Sequence, residues 1–182
     1  MNQLETILSE ISIVMKKINV QDIEALALLL QEGRRIFVIG EGRSGFMAKS
    51  FAMRLMHLGA DVYVIGETIT PSISEGDILV AVSGSGTTQN VVWTTEKAKS
   101  IGCHIIAVTT DTESPLASYA SLIIHVPAAT KYRKAGEHTT IQPLGSLFDQ
   151  CTHILFDGIC LEYAARKQVS HEQAFQKHSN ME

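Results

Sequence analysis

Cysteine is scarce and unpaired in pattern: Cys103, Cys151 and Cys160 are the only three in 182 residues, and no two stand in a CxxC spacing. An odd number without that spacing argues against a disulfide framework or a thiolate zinc site and predicts reduced, packed thiols. Positive charge is not in excess. Fifteen lysines and arginines face 19 acidic residues, a net charge of −4, so the broad basic field of a nucleic-acid binder is missing and no nucleic-acid partner is expected. Long apolar runs are missing too. No stretch reaches the ~18 residues that a bilayer span needs, and the opening MNQLETILSEISIVMKK lacks the basic segment ahead of an apolar run that a signal peptide carries. The chain is therefore read as soluble and cytoplasmic, without a membrane partner. It holds no internal repeat, low-complexity stretch or linker, and 45% hydrophobic residues suffice for one sizeable core. Residues 1–182 are read as a single domain.

What is present is an alternation of two hydrophobic periods. Leu4, Ile7, Leu8, Ile11, Met15 and Ile18 recur at helical spacing, and a second helix over 21–32 carries Ile23, Leu26, Leu29 and Leu30. The pattern then tightens: Ile36–Ile39 is a continuous apolar run after Arg35 that ends in Gly40, the signature of a buried parallel strand. A helix over 44–58 turns Phe51, Leu55 and Met56 inward, and Gly59 stops it. Further strands are predicted over 61–65, 77–82, 104–109 and 122–126, with helices over 88–101, 114–119, 145–166 and 170–177. Strands alternating with helices give an α/β fold, a five-stranded parallel sheet flanked by helices on both faces. Such sheets bind ligands at the carboxyl ends of their strands. The connection 127–144 is long for a compact domain and holds Lys131, Arg133 and Lys134; a solvated loop and a substrate-covering one both fit.

The sharpest motif, Ser83-Gly84-Ser85-Gly86-Thr87-Thr88-Gln89, lies between the third strand and its helix. Its glycines let the backbone approach a ligand closely, and its hydroxyls and the following helix start supply donors and a positive dipole end. These are the parts of a cradle for a phosphate monoester. It is not a P-loop, because the lysine of GxxxxGK[ST] is missing. A second glycine-rich turn, Gly40-Glu41-Gly42-Arg43-Ser44-Gly45, follows the first strand with GxGxxG spacing. No acidic residue ends the second strand, where Tyr63-Val64-Ile65-Gly66 precedes Glu67, and this argues against a dinucleotide. Two such loops suit one small sugar phosphate gripped from both sides, with Arg43 and Ser44 reaching the ligand and Glu41 and Gly45 serving the turn. His57, His104, His125, His138 and His171 show no ligand spacing, so no metal is expected.

The runs GRSGFMAKSFAMRLMHLG, SGSGTT, TIQPLGSLFDQ and HSNME together resemble the 6-phospho-3-hexuloisomerase family, over nearly the whole chain. The resemblance implies a SIS-type domain, a homotetramer with no metal or other cofactor, and a small-molecule sugar phosphate as substrate. It implies conversion of D-arabino-hex-3-ulose 6-phosphate to fructose 6-phosphate, in the ribulose monophosphate route of formaldehyde fixation. Thr87 stands where the family usually has glutamate after the SGSG loop, and Asp149 where it has the glutamate that looks like the proton acceptor. The resemblance makes Asp149 the expected base and His178, in the tail, a second acid/base that closes over a neighbouring subunit's site. Glu67, at a strand's carboxyl end, is the rival base. His153 and Asp157 are read as a structural i,i+4 series after Asp149. Two other readings stay open: another SIS isomerase, acting on arabinose 5-phosphate or sedoheptulose 7-phosphate, and a non-catalytic sugar-phosphate sensor.

Overall fold

A computed structural model describes residues 2–32, 34–134 and 137–181. Residues 135 and 136 of the long loop and Glu182, the last residue of HSNME, lie outside it. The chain runs α1 (Gln3–Met15), α2 (Val20–Leu30), β1 (Ile36–Gly40), α3 (Gly42–His57), β2 (Val62–Val64), β3 (Ile78–Val82), α4 (Gln89–Ile101), β4 (His104–Thr109), α5 (Pro115–Ser118), β5 (Leu122–His125), α6 (Ser146–Lys167) and α7 (His171–Phe175). The five strands form one parallel sheet in the order β2-β1-β3-β4-β5.

The strands are buried on both faces, so alternate residues enter different cores. Ile36, Val38, Ile78, Val80, Ile106 and Ile124 point to the layer of α1, α2, α3 and α6, where Leu26, Phe51, Leu55 and Phe156 meet them. Phe37, Leu79, Ala81, Ile105 and Ala107 point the other way, to Val91 and Ala98 of α4 and Leu116 of α5. The two faces are unequal: four helices cover one and two the other. Cys103, Cys151 and Cys160 are buried free thiols, and burial pushes Cys151 and Cys160 up to about 12, which keeps them protonated and unreactive.

Two details depart from the apolar periodicity. Met56 is 41% exposed rather than inward, because the buried seam of α3 runs through Ala48, Phe51, Ala52 and Leu55. In α1 the buried residues are Glu10 and Val14, while Leu4 and Leu8 face outward.

The sheet order changes direction at β1, which has β2 on one side and β3 on the other. Open α/β sheets bind ligands beyond the strand ends at such a switch point. Here it opens between the two glycine-rich loops. Backbone packing is tight there: a Cβ on Gly45 would stand 2.7 Å from the carbonyl oxygen of Gly40, so only glycine lets α3 start this close to β1.

Candidate active site

A cleft of about 400 Å³ lies over the switch point. Its walls are the starts of three helices: Glu41–Ser44 at α3, Gly84, Ser85 and Thr88 at α4, and Leu144, Gly145, Phe148 and Asp149 at α6, with Thr130 and Lys131 from the long loop. None of these three helices has a side-chain hydrogen bond capping its N-terminus. First-turn amides without helical partners and the positive ends of three dipoles therefore converge on one space, the physical requirement for holding an anion.

The loop Ser83–Gln89 is shaped from within. Gly86 adopts φ +64°, and a Cβ there would fall 2.0 Å from Ser114 Oγ, so the turn requires glycine. Ser83 is buried; its hydroxyl accepts the Gly86 amide (3.1 Å) and lies 2.8 Å from Thr88 Oγ1. Ser83 and Gly86 thus hold the loop's form, while Gly84, Ser85 and Thr88 face the cleft. Thr87 and Gln89 line a separate groove on the α4 face with Trp93 and Pro115. Thr87 bonds back to Ser85 through both its amide and its hydroxyl (2.9 Å for the latter).

Asp149 is 5% exposed, at the floor of the cleft. Ser44 Oγ donates to its Oδ1 at 2.7 Å, and Arg43 Nε stands 3.5 Å from its Oδ2. Burial pushes its carboxyl above the ordinary aspartate value, against the lowering effects of the Ser44 hydrogen bond and the Arg43 charge. A carboxylate so placed is a stronger proton acceptor than a solvated one. Arg43 also donates to Ser146 Oγ (3.3 Å), bridging α3 and α6. Ser44 therefore orients the carboxylate, and the largely exposed Arg43 sets a guanidinium beside it.

The other acid/base candidates are elsewhere. Glu67 is half-exposed in an ion pair with Lys49 (2.6 Å) and does not line the cleft. His178 stacks on the buried His57, ring centroids 5.3 Å apart. His57 is the last residue of α3, and helical rise puts it roughly 20 Å from Ser44. Within one chain His178 is therefore remote from Asp149. His153 pairs with Asp157 (3.7 Å) on the exposed side of α6.

Sequence reasoning gave Glu41 only a turn role. It lies on the cleft wall, and its Oε1 accepts from Asn90 Nδ2 at 2.6 Å, tying the first glycine-rich turn to the first turn of α4. The basic cluster divides: Lys131 lines the cleft, Arg133 donates to backbone carbonyls of its own loop, and Lys134 pairs with Asp111 (3.0 Å). Leu144, Gly145 and Phe148 carry no polar signal and emerge only from the fold.

No helix among the described residues is long and apolar enough to cross a membrane. The SIS domain family model matches residues 29–154. The 3-hexulose-6-phosphate isomerase of Bacillus subtilis (strain 168) is 40% identical over 176 residues, covering 97% of this chain and 95% of its own. That of Mycobacterium gastri is 39% identical over 181 residues, with 100% and 90% coverage. The crystal structure of a Methanococcus jannaschii protein, from which a 3-hexulose-6-phosphate isomerase function was inferred, superposes with a TM-score of 0.87 at 30% identity over the full length of both chains. The chain belongs to the SIS domain family and, within it, to the 3-hexulose-6-phosphate isomerases.

Proposed function

We propose that the cleft over Asp149 converts D-arabino-hex-3-ulose 6-phosphate to fructose 6-phosphate, with Asp149 as the proton-transfer base. The observation that carries this reading is the meeting of a buried carboxylate with three uncapped helix starts in one space. The phosphate sits against the Ser85 and Thr88 hydroxyls and the first amides of α4. The sugar then extends toward α6 and Asp149.

The reaction is a 1,2-proton shift. Asp149 removes the proton on C2, and the C–H electrons form the C2–C3 double bond while the C3 carbonyl takes up negative charge as a cis-enediolate. Arg43 lies where it offsets that charge. A proton passes from O2 to O3, and Asp149 returns its proton to C3, leaving the ketone on C2. Because O6 is phosphorylated, no hydroxyl of the 3-ketose is placed to close a five- or six-membered ring on C3, so the substrate arrives open-chain. The carboxylate need only serve both carbons on one face.

His178 takes part only as a residue lent to a neighbouring subunit's cleft, given its place at the far end of α3. A homotetramer suits the apolar surface left on the helical layer: Phe46 and Met53 on α3, Ile154 and Leu161 on α6, and Leu4 and Leu8 on α1 are all exposed. We read residues 1–182 as one cytoplasmic SIS domain working in the ribulose monophosphate route of formaldehyde fixation. The test is turnover of the 3-hexulose 6-phosphate by the purified chain, with inorganic phosphate as a competitive inhibitor. Binding of the sugar phosphate without turnover would make the chain a sensor and end this reading.

A further inference from the structure

Glu10 shares the buried face of α1 with Val14, a place that a hydrocarbon would ordinarily fill. It is 7% exposed, whereas Leu4 and Leu8 are 72% and 66% exposed. A buried carboxylate is costly unless it is fully hydrogen-bonded, and Glu10 collects its donors from three consecutive residues of the long loop. Thr140 Oγ1 donates to Oε2 (2.6 Å), the Ile141 amide to Oε1 (2.8 Å) and Gln142 Nε2 to Oε2 (3.1 Å). Burial alone would raise its pKa, but these hydrogen bonds, with the charge of His138, hold it below the ordinary glutamate value. Asp149, with much more of the protein packed around it, has one hydroxyl donor and a guanidinium at 3.5 Å, and burial shifts it upward. Of the two buried carboxylates, one is saturated with donors and the other is left short of them.

What Glu10 grips is the segment that leads into a wall of the cleft. Residues 140–142 continue directly into Leu144 and Gly145, which line the cleft, and the Gly145 carbonyl accepts the Asp149 amide (3.0 Å). The far side of the loop is tied to the same point. Arg133, at φ +50°, donates to the carbonyls of both Thr130 and Gln142, and Thr130 also lines the cleft. Glu137 adds two bonds to Thr130.

We propose that Glu10 is a positioning residue for the active site: its buried carboxylate fastens residues 140–142 and, through them, the cleft-lining Leu144 and Gly145, so that this wall meets the substrate and water is kept from Asp149. This rests on the reading of the cleft as the isomerase site. Helix α1 thereby contributes to catalysis from outside the cleft. The ionisable groups facing Asp149 are Arg43 from α3, with Glu41 and Lys131 on the cleft walls, and His138 faces Glu10.

The test uses the full chain carrying Glu10→Gln, which keeps the size but turns an amide donor toward a cluster of donors. Hydrogen exchange in peptides spanning 138–146 should quicken by about tenfold or more. KM should rise about tenfold with kcat changed less, as expected when a binding wall loosens. The acid limb of kcat should move to lower pH, because water reaching Asp149 removes the cause of its raised pKa. A role in stability alone would leave that limb in place. Thr140→Val removes one donor from the loop side and carries the test if Glu10→Gln does not fold. It should move all three readouts in the same direction by less, and the double variant should fall short of additivity. Unchanged loop exchange in the variants that fold would overturn the proposal, as would a loosened loop with wild-type KM and acid limb. Full activity of Asp149→Asn would instead remove the isomerase-base reading, while the exchange measurement, which needs no turnover, would still decide whether Glu10 is the fastener.

Discussion

The helix starts at the cleft and those away from it are built differently. Helices α1, α2, α5 and α7 each have a side-chain cap: Asn2 on the Glu5 amide, Asn19 on Gln21, Ser114 on Ala117 and Ser170 on Gln173. Helices α3, α4 and α6 have none, and all three open onto one cleft. Thr88 stands at the cap position of α4, yet its hydroxyl engages Ser83 instead of the helix amides. A cap is worth about 1 kcal/mol to the fold; leaving three helix starts without one reserves their amides and dipoles for something that is not part of the chain. The helices away from the cleft begin in hydrogen bonds from the chain itself, and those at the cleft leave their first amides without a side-chain cap.

The sharpest way to break that contrast is at the group the converging helices surround. Asp149→Asn removes the base but keeps the side chain's shape, so kcat should fall by about 10²–10⁴-fold with little change in KM. The sign of its stability effect follows from the raised pKa. A carboxyl held above its unfolded value weakens the fold as pH rises from the unfolded pKa through the folded one, and the penalty persists above it. The variant should therefore melt at or above the wild-type temperature at pH 8 while being nearly inactive, and calorimetry beside the assay checks both. A clear loss of stability would mean that the ionised carboxylate is a structural group.

Next in size is Ser85→Ala, in the loop that leads into an uncapped helix. Losing a hydroxyl donor to a phosphate dianion should raise KM and the inhibition constant of inorganic phosphate by the equivalent of roughly 1–3 kcal/mol, without lowering the melting temperature. An unchanged constant for phosphate would remove Ser85 from the cradle. The smallest effect belongs to a capped helix. Asn19→Ala should cost about 1 kcal/mol in denaturant unfolding and leave KM unaltered. If it alters KM as much as Ser85→Ala does, the division between the two sets of helices does not hold.

The fold was legible because its signals are local. A continuous apolar run, a glycine at its end and a return to helical spacing recur along the chain, and the strand expected over 104–109 is the strand observed. Where periodicity misled, tertiary contacts decided. Leu4 and Leu8 fit the helical spacing but face outward, because Glu10 of α1 turns to meet Thr140, Ile141 and Gln142, about 130 residues away in the chain. Such a pairing has no signature in either segment alone. The site was legible in its loops and not in its division of labour. Ser83-Gly84-Ser85-Gly86-Thr87-Thr88-Gln89 reads as one motif, yet only Gly84, Ser85 and Thr88 face the cleft, because the turn at Gly86 sends Thr87 and Gln89 to the far groove. Glu41 and Lys131 were each visible as residues, but only the fold brings them to the walls of the same cleft.

The central claim is that Asp149 moves the proton between C2 and C3, and solvent exchange reads that step directly. With wild-type protein in D₂O, NMR of the sugar phosphates should show deuterium entering at C3 of fructose 6-phosphate and at C2 of recovered 3-hexulose 6-phosphate as equilibrium is approached. With Asp149→Asn both turnover and exchange should fall together by at least about 100-fold, while Glu67→Gln, whose carboxylate is held by Lys49 outside the cleft, exchanges as wild type does. Exchange that survives in Asp149→Asn and disappears in Glu67→Gln would contradict the account and make Glu67 the base.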